Sequence, residues 1–123
     1  MKTPTRAVLA LAAILALSGC QKSADAGVAA IEKADAKGRD DKALAAGVRA
    51  SARLESIASK AHTSLDKSRA SLEKKLATDE NAASIMFALD FTARQAHSTI
   101  DLHLAQCFDE IAQALAEAGL ADQ

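Results

Sequence analysis

Proline, which interrupts both helices and strands, occurs only once in this chain of 123 residues, at position 4. Alanine is abundant, whereas tryptophan and tyrosine are absent. Alanine is the strongest helix former, and the chain from residue 5 onward has no residue that forbids a helix. The sequence therefore predicts an all-helical protein whose core is built from small residues with scattered leucines and isoleucines.

Glycines and short polar residues indicate where the helices end. Gly38 and Gly119 suit the left-handed position that follows a helix. Asp40 can cap the start of a second helix, and Thr78 can cap a third. The predicted helices cover residues 24–37, 40–77 and 79–118.

Apolar residues repeat every eleven positions along the two long predicted helices. The columns of the last helix are Ala82, Ala93, Leu104 and Leu115; Ile85, Ala96, Cys107 and Ala118; and Leu89, Ile100 and Ile111. The columns of the preceding helix are Leu54, Leu65 and Leu76, and Ala50, Ala61 and Leu72. Eleven residues complete three helical turns, so each column stays on one face. Since the predicted link is short, these faces should pack against each other as an antiparallel hairpin.

The charges favour the same pairing. Residues 40–77 contain eight basic and five acidic side chains, whereas residues 78–123 contain one basic and eight acidic. The predicted fold class is all-α: a long antiparallel helical hairpin with a short N-terminal helix. One chain would make a three-helix bundle, and two copies would contribute four long helices.

The first twenty residues have the three regions of an export signal, in order. Lys2 and Arg6 supply positive charge, and an uncharged apolar run of eleven residues follows, which is too short to span a bilayer. The run ends at Leu17-Ser18-Gly19-Cys20. This segment resembles the lipobox of bacterial lipoproteins, and the resemblance covers residues 1–20 only.

The resemblance implies cleavage between Gly19 and Cys20, a diacylglycerol on the Cys20 thiol and usually an acyl group on the new amino terminus. Gln21 stands where an aspartate would favour the inner membrane, which points to the outer membrane, facing the periplasm. An ordinary signal peptide or membrane anchor with an incidental cysteine is the alternative. The chain divides into a removed signal peptide, a lipidated N-terminus with a short helix, and a hairpin domain, at residues 1–19, 20–39 and 40–123.

A second apolar face is separate from the predicted hairpin core. Phe87, Phe91 and Leu102 point away from the apolar columns on a helical wheel. The first helix could cover them with Val28 and Ile31, which would complete a three-helix bundle. Another protein or a second copy of the chain is the other possible cover, and we therefore consider these three residues a candidate partner-binding face.

Three histidines and one cysteine suggest a metal or thiol site. His62 lies level with His97 across the predicted hairpin, and His103 lies one turn before Cys107. With Cys20 lipidated, Cys107 has no partner for an internal disulfide and is buried, reactive or bound to another molecule. No compact zinc motif is present, so a packing or pH-sensitive contact is the first interpretation of His62 and His97.

Two classes of function follow. The first is a lipid-anchored interaction or structural component of the cell envelope, generally similar to secretin pilotins, entry-exclusion lipoproteins and immunity proteins. The second is a periplasmic metal or thiol binder that uses His62, His97, His103 and Cys107. Enzyme motifs and basic runs interleaved with aromatic residues are absent from the sequence, so we expect neither catalysis nor nucleic-acid binding. The expected non-protein group is the lipid on Cys20, with no further cofactor.

Overall fold

The computed structural model describes the backbone of residues 2–76 and 82–120, and the side chains of residues 13–75 and 83–120. It contains three α-helices: α1 over Lys2–Ala36, α2 over Asp40–Leu76 and α3 over Ala82–Glu117. All three pack against one another. The predicted all-α fold with a hairpin and an N-terminal helix is confirmed as a three-helix bundle.

The first helix is much longer than predicted. We expected a short helix over 24–37, but α1 has 35 residues and continues without a break through Gly19 and Cys20. The physical reason is local: the apolar run before Gly19 is rich in alanine and leucine, and a single glycine costs a helix only about 1 kcal/mol. The predicted signal segment and the predicted short helix are therefore parts of one continuous α-helix.

Two glycines end helices as predicted. Gly38 and Gly119 have φ angles of 68° and 78°. At Gly38, the amide of Arg39 donates to the carbonyl of Ala34 at 2.9 Å and that of Gly38 to Asp35 at 2.9 Å. This is the Schellman arrangement, which only a residue tolerant of positive φ completes without strain.

The start of α2 differs in detail from the prediction. Asp40 is the first helical residue of α2, so it lies with Asp41 in the first turn instead of capping it. Both carboxylates are near the positive end of the helix dipole. Thr78, the predicted cap of the last helix, lies outside the described residues.

The core forms two clusters along the bundle. One surrounds the buried side chains of Ile31, Leu54 and Ile111 and includes all three helices. The other surrounds Leu65 and Leu89, where α2 and α3 meet α1. Most described members of the predicted eleven-residue columns are buried or half-buried in these clusters, which confirms the hairpin faces.

A glycine allows α1 and α2 to approach closely. A Cβ atom built on Gly27 would lie 2.5 Å from the Cβ of Ala50 and 2.8 Å from Cδ1 of Ile111. Carbon atoms in contact are normally about 3.5 to 4 Å apart. The position of α1 therefore depends on Gly27 having no side chain.

Candidate functional sites

Cys20, the predicted lipidation site, lies inside the bundle. It faces the core from the middle of α1, and its side chain is only 1% exposed. Burial raises the pKa of the Cys20 thiol. The neighbouring Gly19 lies against Ile57 of α2, with 3.5 Å between an added Cβ and the nearest methyl. The thiol is inaccessible while α1 is packed in this way.

Cys107 belongs to the same core cluster as Cys20, and both thiols are free. Burial, with a smaller contribution from the proximity of Cys20, raises the pKa of Cys107 to about 11. A thiol with such a pKa is protonated at neutral pH and is a poor nucleophile and a poor metal ligand. Of the predicted alternatives for Cys107, the structure places it in the buried one.

The candidate partner-binding face of Phe87, Phe91 and Leu102 lies on the outside of α3. These side chains are 77%, 56% and 64% exposed. Positions 87, 91 and 102 are separated by about half a turn of the helical wheel from the buried Leu89 and Ile100. The three residues therefore form an outward face of large apolar groups.

The expectation that the first helix covers this face is wrong. Ile31 is fully buried in the core cluster with Ile111, and Val28 packs against the same cluster. A groove runs between α2 and α3, and α1 packs in this groove. Since α1 lies in this groove, it cannot also reach the outer surface of α3.

His62 and His97 meet across the α2–α3 hairpin, as the sequence predicted. Their rings stack with centroids 4.7 Å apart and an interplanar angle of 19°. The two Nδ1 atoms face each other in a short contact. Arg69 and Asp90, also level across the hairpin, form an ion pair at 2.5 Å, which agrees with the same antiparallel register.

Each of these histidines also contacts an aspartate on the opposite helix. Nε2 of His62 is 2.7 Å from Asp101, and Nε2 of His97 is 3.0 Å from Asp66. The four side chains therefore form one polar cluster, in which two stacked imidazole rings are flanked by a carboxylate at each end.

Asp66 was not among the residues predicted from the sequence to form this cluster. The signal was present, since Asp66 lies four residues after His62, as Asp101 lies four residues after His97. The spacing places each aspartate one turn from a histidine on its own helix. In an antiparallel hairpin, each aspartate then comes level with the histidine of the other helix.

The other half of the predicted metal set is separate from this cluster. His103 lies six residues after His97, which places it on a different face of α3, and its Nε2 is buried without a hydrogen-bond partner. Cys107 is enclosed in the core. Within residues 13–75 and 83–120, no group of three or more histidine, cysteine, aspartate or glutamate side chains is arranged to hold a metal ion.

None of the three helices, over the residues described, is long and apolar enough to cross a membrane. Comparison of the chain with protein-family models, with curated proteins and with solved structures finds no match.

Proposed function

We propose that this chain is a lipoprotein of the bacterial cell envelope, anchored through Cys20 to the outer membrane, whose helical bundle binds another envelope protein. The partner-binding face is formed by Phe87, Phe91 and Leu102. The observation that carries the proposal is the exposure of these three large apolar side chains on one side of α3.

The apolar face supports a binding role because of its cost in water. A phenylalanine side chain contributes roughly 1.5 to 3 kcal/mol when it is fully buried, and this face leaves two rings and a leucine in solvent. Single exposed apolar residues are common, but grouped ones mark interaction surfaces in many proteins. A protein partner that covers the face would recover this free energy.

The described side chains of residues 13–16 support removal of the signal segment. Ile14 and Leu15 are 59% and 64% exposed, while Ala13 and Ala16 face the core. The segment is thus apolar on its outer side as well as its inner side, which suits an export signal better than a surface helix. Cleavage before Cys20 would remove these exposed side chains.

The burial of Cys20 sets the order of events in this proposal. Transfer of diacylglycerol to the thiol requires access, which the packed α1 denies. Lipidation would therefore precede the packing of α1 onto the hairpin, and the lipidated first turn would stay outside the core. Ala24, Ile31 and Ala34 remain after cleavage, and their burial would still hold the rest of α1.

Metabolic labelling with palmitate tests the anchor. The wild-type chain should incorporate label and lose residues 1–19, which are about 2 kDa of a 12.7 kDa chain. The Cys20→Ala variant should remain unlabelled and uncleaved, whereas the matched Cys107→Ala variant should behave as wild type. Equal labelling of wild type and Cys20→Ala would refute the lipoprotein assignment.

The binding face is tested by site-specific cross-linking in the envelope with Phe91→Glu. Because Phe91 is exposed, we expect the free energy of unfolding of the variant to differ from that of wild type by less than about 0.5 kcal/mol. It should lose the cross-linked partner, while Ser56→Glu, at an exposed position of α2, should keep it. Loss of stability in Phe91→Glu with the partner retained would show that the face serves packing instead.

The second candidate function is metal binding by His62 and His97, without His103 and Cys107 of the predicted set. His62 and His97 each have a carboxylate on Nε2, which is the arrangement that orients histidine ligands toward a metal. Titration of the chain with Cu²⁺ and Zn²⁺ tests this, with the His62→Ala variant and the His103→Ala control. Tight binding that is lost only in His62→Ala would support a histidine-pair site, and no binding would end this alternative.

A further inference from the structure

A groove between α1 and α2 has basic side chains on both walls. Its volume is about 400 Å³, and the small side chains of Ala30, Ala34 and Ala46 line it between the charges. Its basic residues are Lys33, Lys37, Arg39, Lys42 and Arg49. A smaller cavity of about 190 Å³ continues along the same two helices and reaches Arg53. No carboxylate lines either part.

Helical spacing explains why the charges converge. Lys33 lies in the last turn of α1, and Lys37 directly follows that helix. Lys42 and Arg49 are seven residues apart, on one face of α2. Asp35 lies about half a turn of the wheel away from Lys33. Glu32 lines a different groove, between α1 and α3, so the acidic side chains of this part of α1 are directed away from the basic groove.

These five cations have no ionic partner in the described part of the chain. The ion pairs found there join side chains of residues 62–73 and 90–101, in α2 and α3. At physiological salt the screening length is about 8 Å, so cations that share one groove still repel each other. A bound anion would relieve this repulsion, although the chain as a whole has a net charge of −1.

We propose that this groove binds a compact ligand that carries two or more phosphate groups. Cations on both walls match a ligand with separated negative groups, and Arg39 and Arg49 can each donate two hydrogen bonds to a phosphate. The alanines allow a phosphate to approach both helices. The volume lies within the range of small-ligand sites, about 300 to 1,000 Å³. This inference is independent of the lipid anchor and of the apolar face.

Calorimetric titration with sodium tripolyphosphate tests the proposal. The full-length Cys20→Ala chain is used, so that no acyl group is present. We expect saturable binding of one ligand per chain, weakened about tenfold or more in the Lys42→Glu/Arg49→Glu variant. The matched control, Lys60→Glu/Lys67→Glu, makes the same change in net charge on α2 outside the groove and should change the affinity less than about twofold. If the groove variant does not fold, Arg49→Gln should weaken binding in the same direction.

A second arm uses phosphatidylcholine vesicles with and without cardiolipin, a lipid whose headgroup carries two phosphates. Binding to tripolyphosphate alone would assign the groove to a soluble phosphate ligand, and binding to both probes, lost in the groove variant, to a lipid headgroup. Binding to anionic vesicles without tripolyphosphate binding would overturn the proposal, since it needs only a charged surface. Equal weakening in the groove variant and the control, or no saturable binding at all, would also overturn it.

Discussion

Replacing Gly27 by alanine tests the packing of α1 most directly. The new Cβ would lie 2.5 Å from the Cβ of Ala50, so α1 and α2 would have to separate by about 1 Å. Overpacking of this kind costs typically 1 to 3 kcal/mol. The same substitution raises helix propensity by about 1 kcal/mol, which partly offsets the clash.

Gly47→Ala is the matched control for the propensity effect. Gly47 also lies within a helix, but its added Cβ would meet only the tip of the Leu115 side chain, at 3.1 Å, which can rotate away. Both variants gain the same propensity, so the difference between them isolates the contact of Gly27 with Ala50. We expect Gly27→Ala to be about 2 kcal/mol less stable than Gly47→Ala.

Urea and thermal unfolding followed by far-ultraviolet circular dichroism measure this difference. At about 5 °C per kcal/mol for a domain of this size, Gly27→Ala should melt about 10 °C below Gly47→Ala. Equal m-values in urea would indicate that both variants unfold between comparable states. Equal stabilities of the two variants would refute the close approach of α1 and α2 at Gly27.

Three further predictions concern the core, the hairpin and the thiol. Ile31→Ala should lower the free energy of unfolding by about 2 to 5 kcal/mol in the same assay, because Ile31 is fully buried. Val48→Ala, at an exposed position, should change it by less than about 0.5 kcal/mol. Similar effects of the two substitutions would contradict the burial of Ile31. Asp90→Ala removes the ion-pair partner that Arg69 and Arg94 share, and should cost less than about 1 kcal/mol because these pairs are partly exposed. A loss that does not shrink in high salt would contradict an ionic contribution. Because the pKa of Cys107 is raised to about 11, the unfolded chain loses its thiol proton first, so stability should fall as pH rises from about 8.5 toward 11. Cys107→Ala should flatten this fall, and an unchanged slope in that variant would contradict the assignment.

Much of the hairpin could be predicted because its signals are local or periodic. Gly38 and Gly119 end helices through contacts within one turn, and such contacts depend only on neighbouring residues. The eleven-residue columns identify the inner faces of α2 and α3 before any contact is known. Once the turn is placed near residue 79, the meeting of His62 with His97 follows from counting residues along two antiparallel helices.

The candidate sites were less predictable because each depends on how separate helices pack against one another. The basic groove needs α1 and α2 side by side, and its cations come from residues 33 to 49 without a compact motif. Asp66 joins the histidines only because the hairpin brings it level with His97. Phe87 is exposed because α1 packs on the opposite side of α3.

Propensity, caps and periodicity act over a few residues, so they were enough to predict that this chain is helical, where two of its helices end and which faces form the hairpin. The continuous course of α1 from Lys2 to Ala36, and its packing in the hairpin groove instead of over Phe87 and Phe91, became clear only from the folded chain. Local signals could not predict this packing because a third helix can lie on either side of a hairpin. The choice depends on how closely the backbones approach, and here α1 packs where Gly27 meets Ala50.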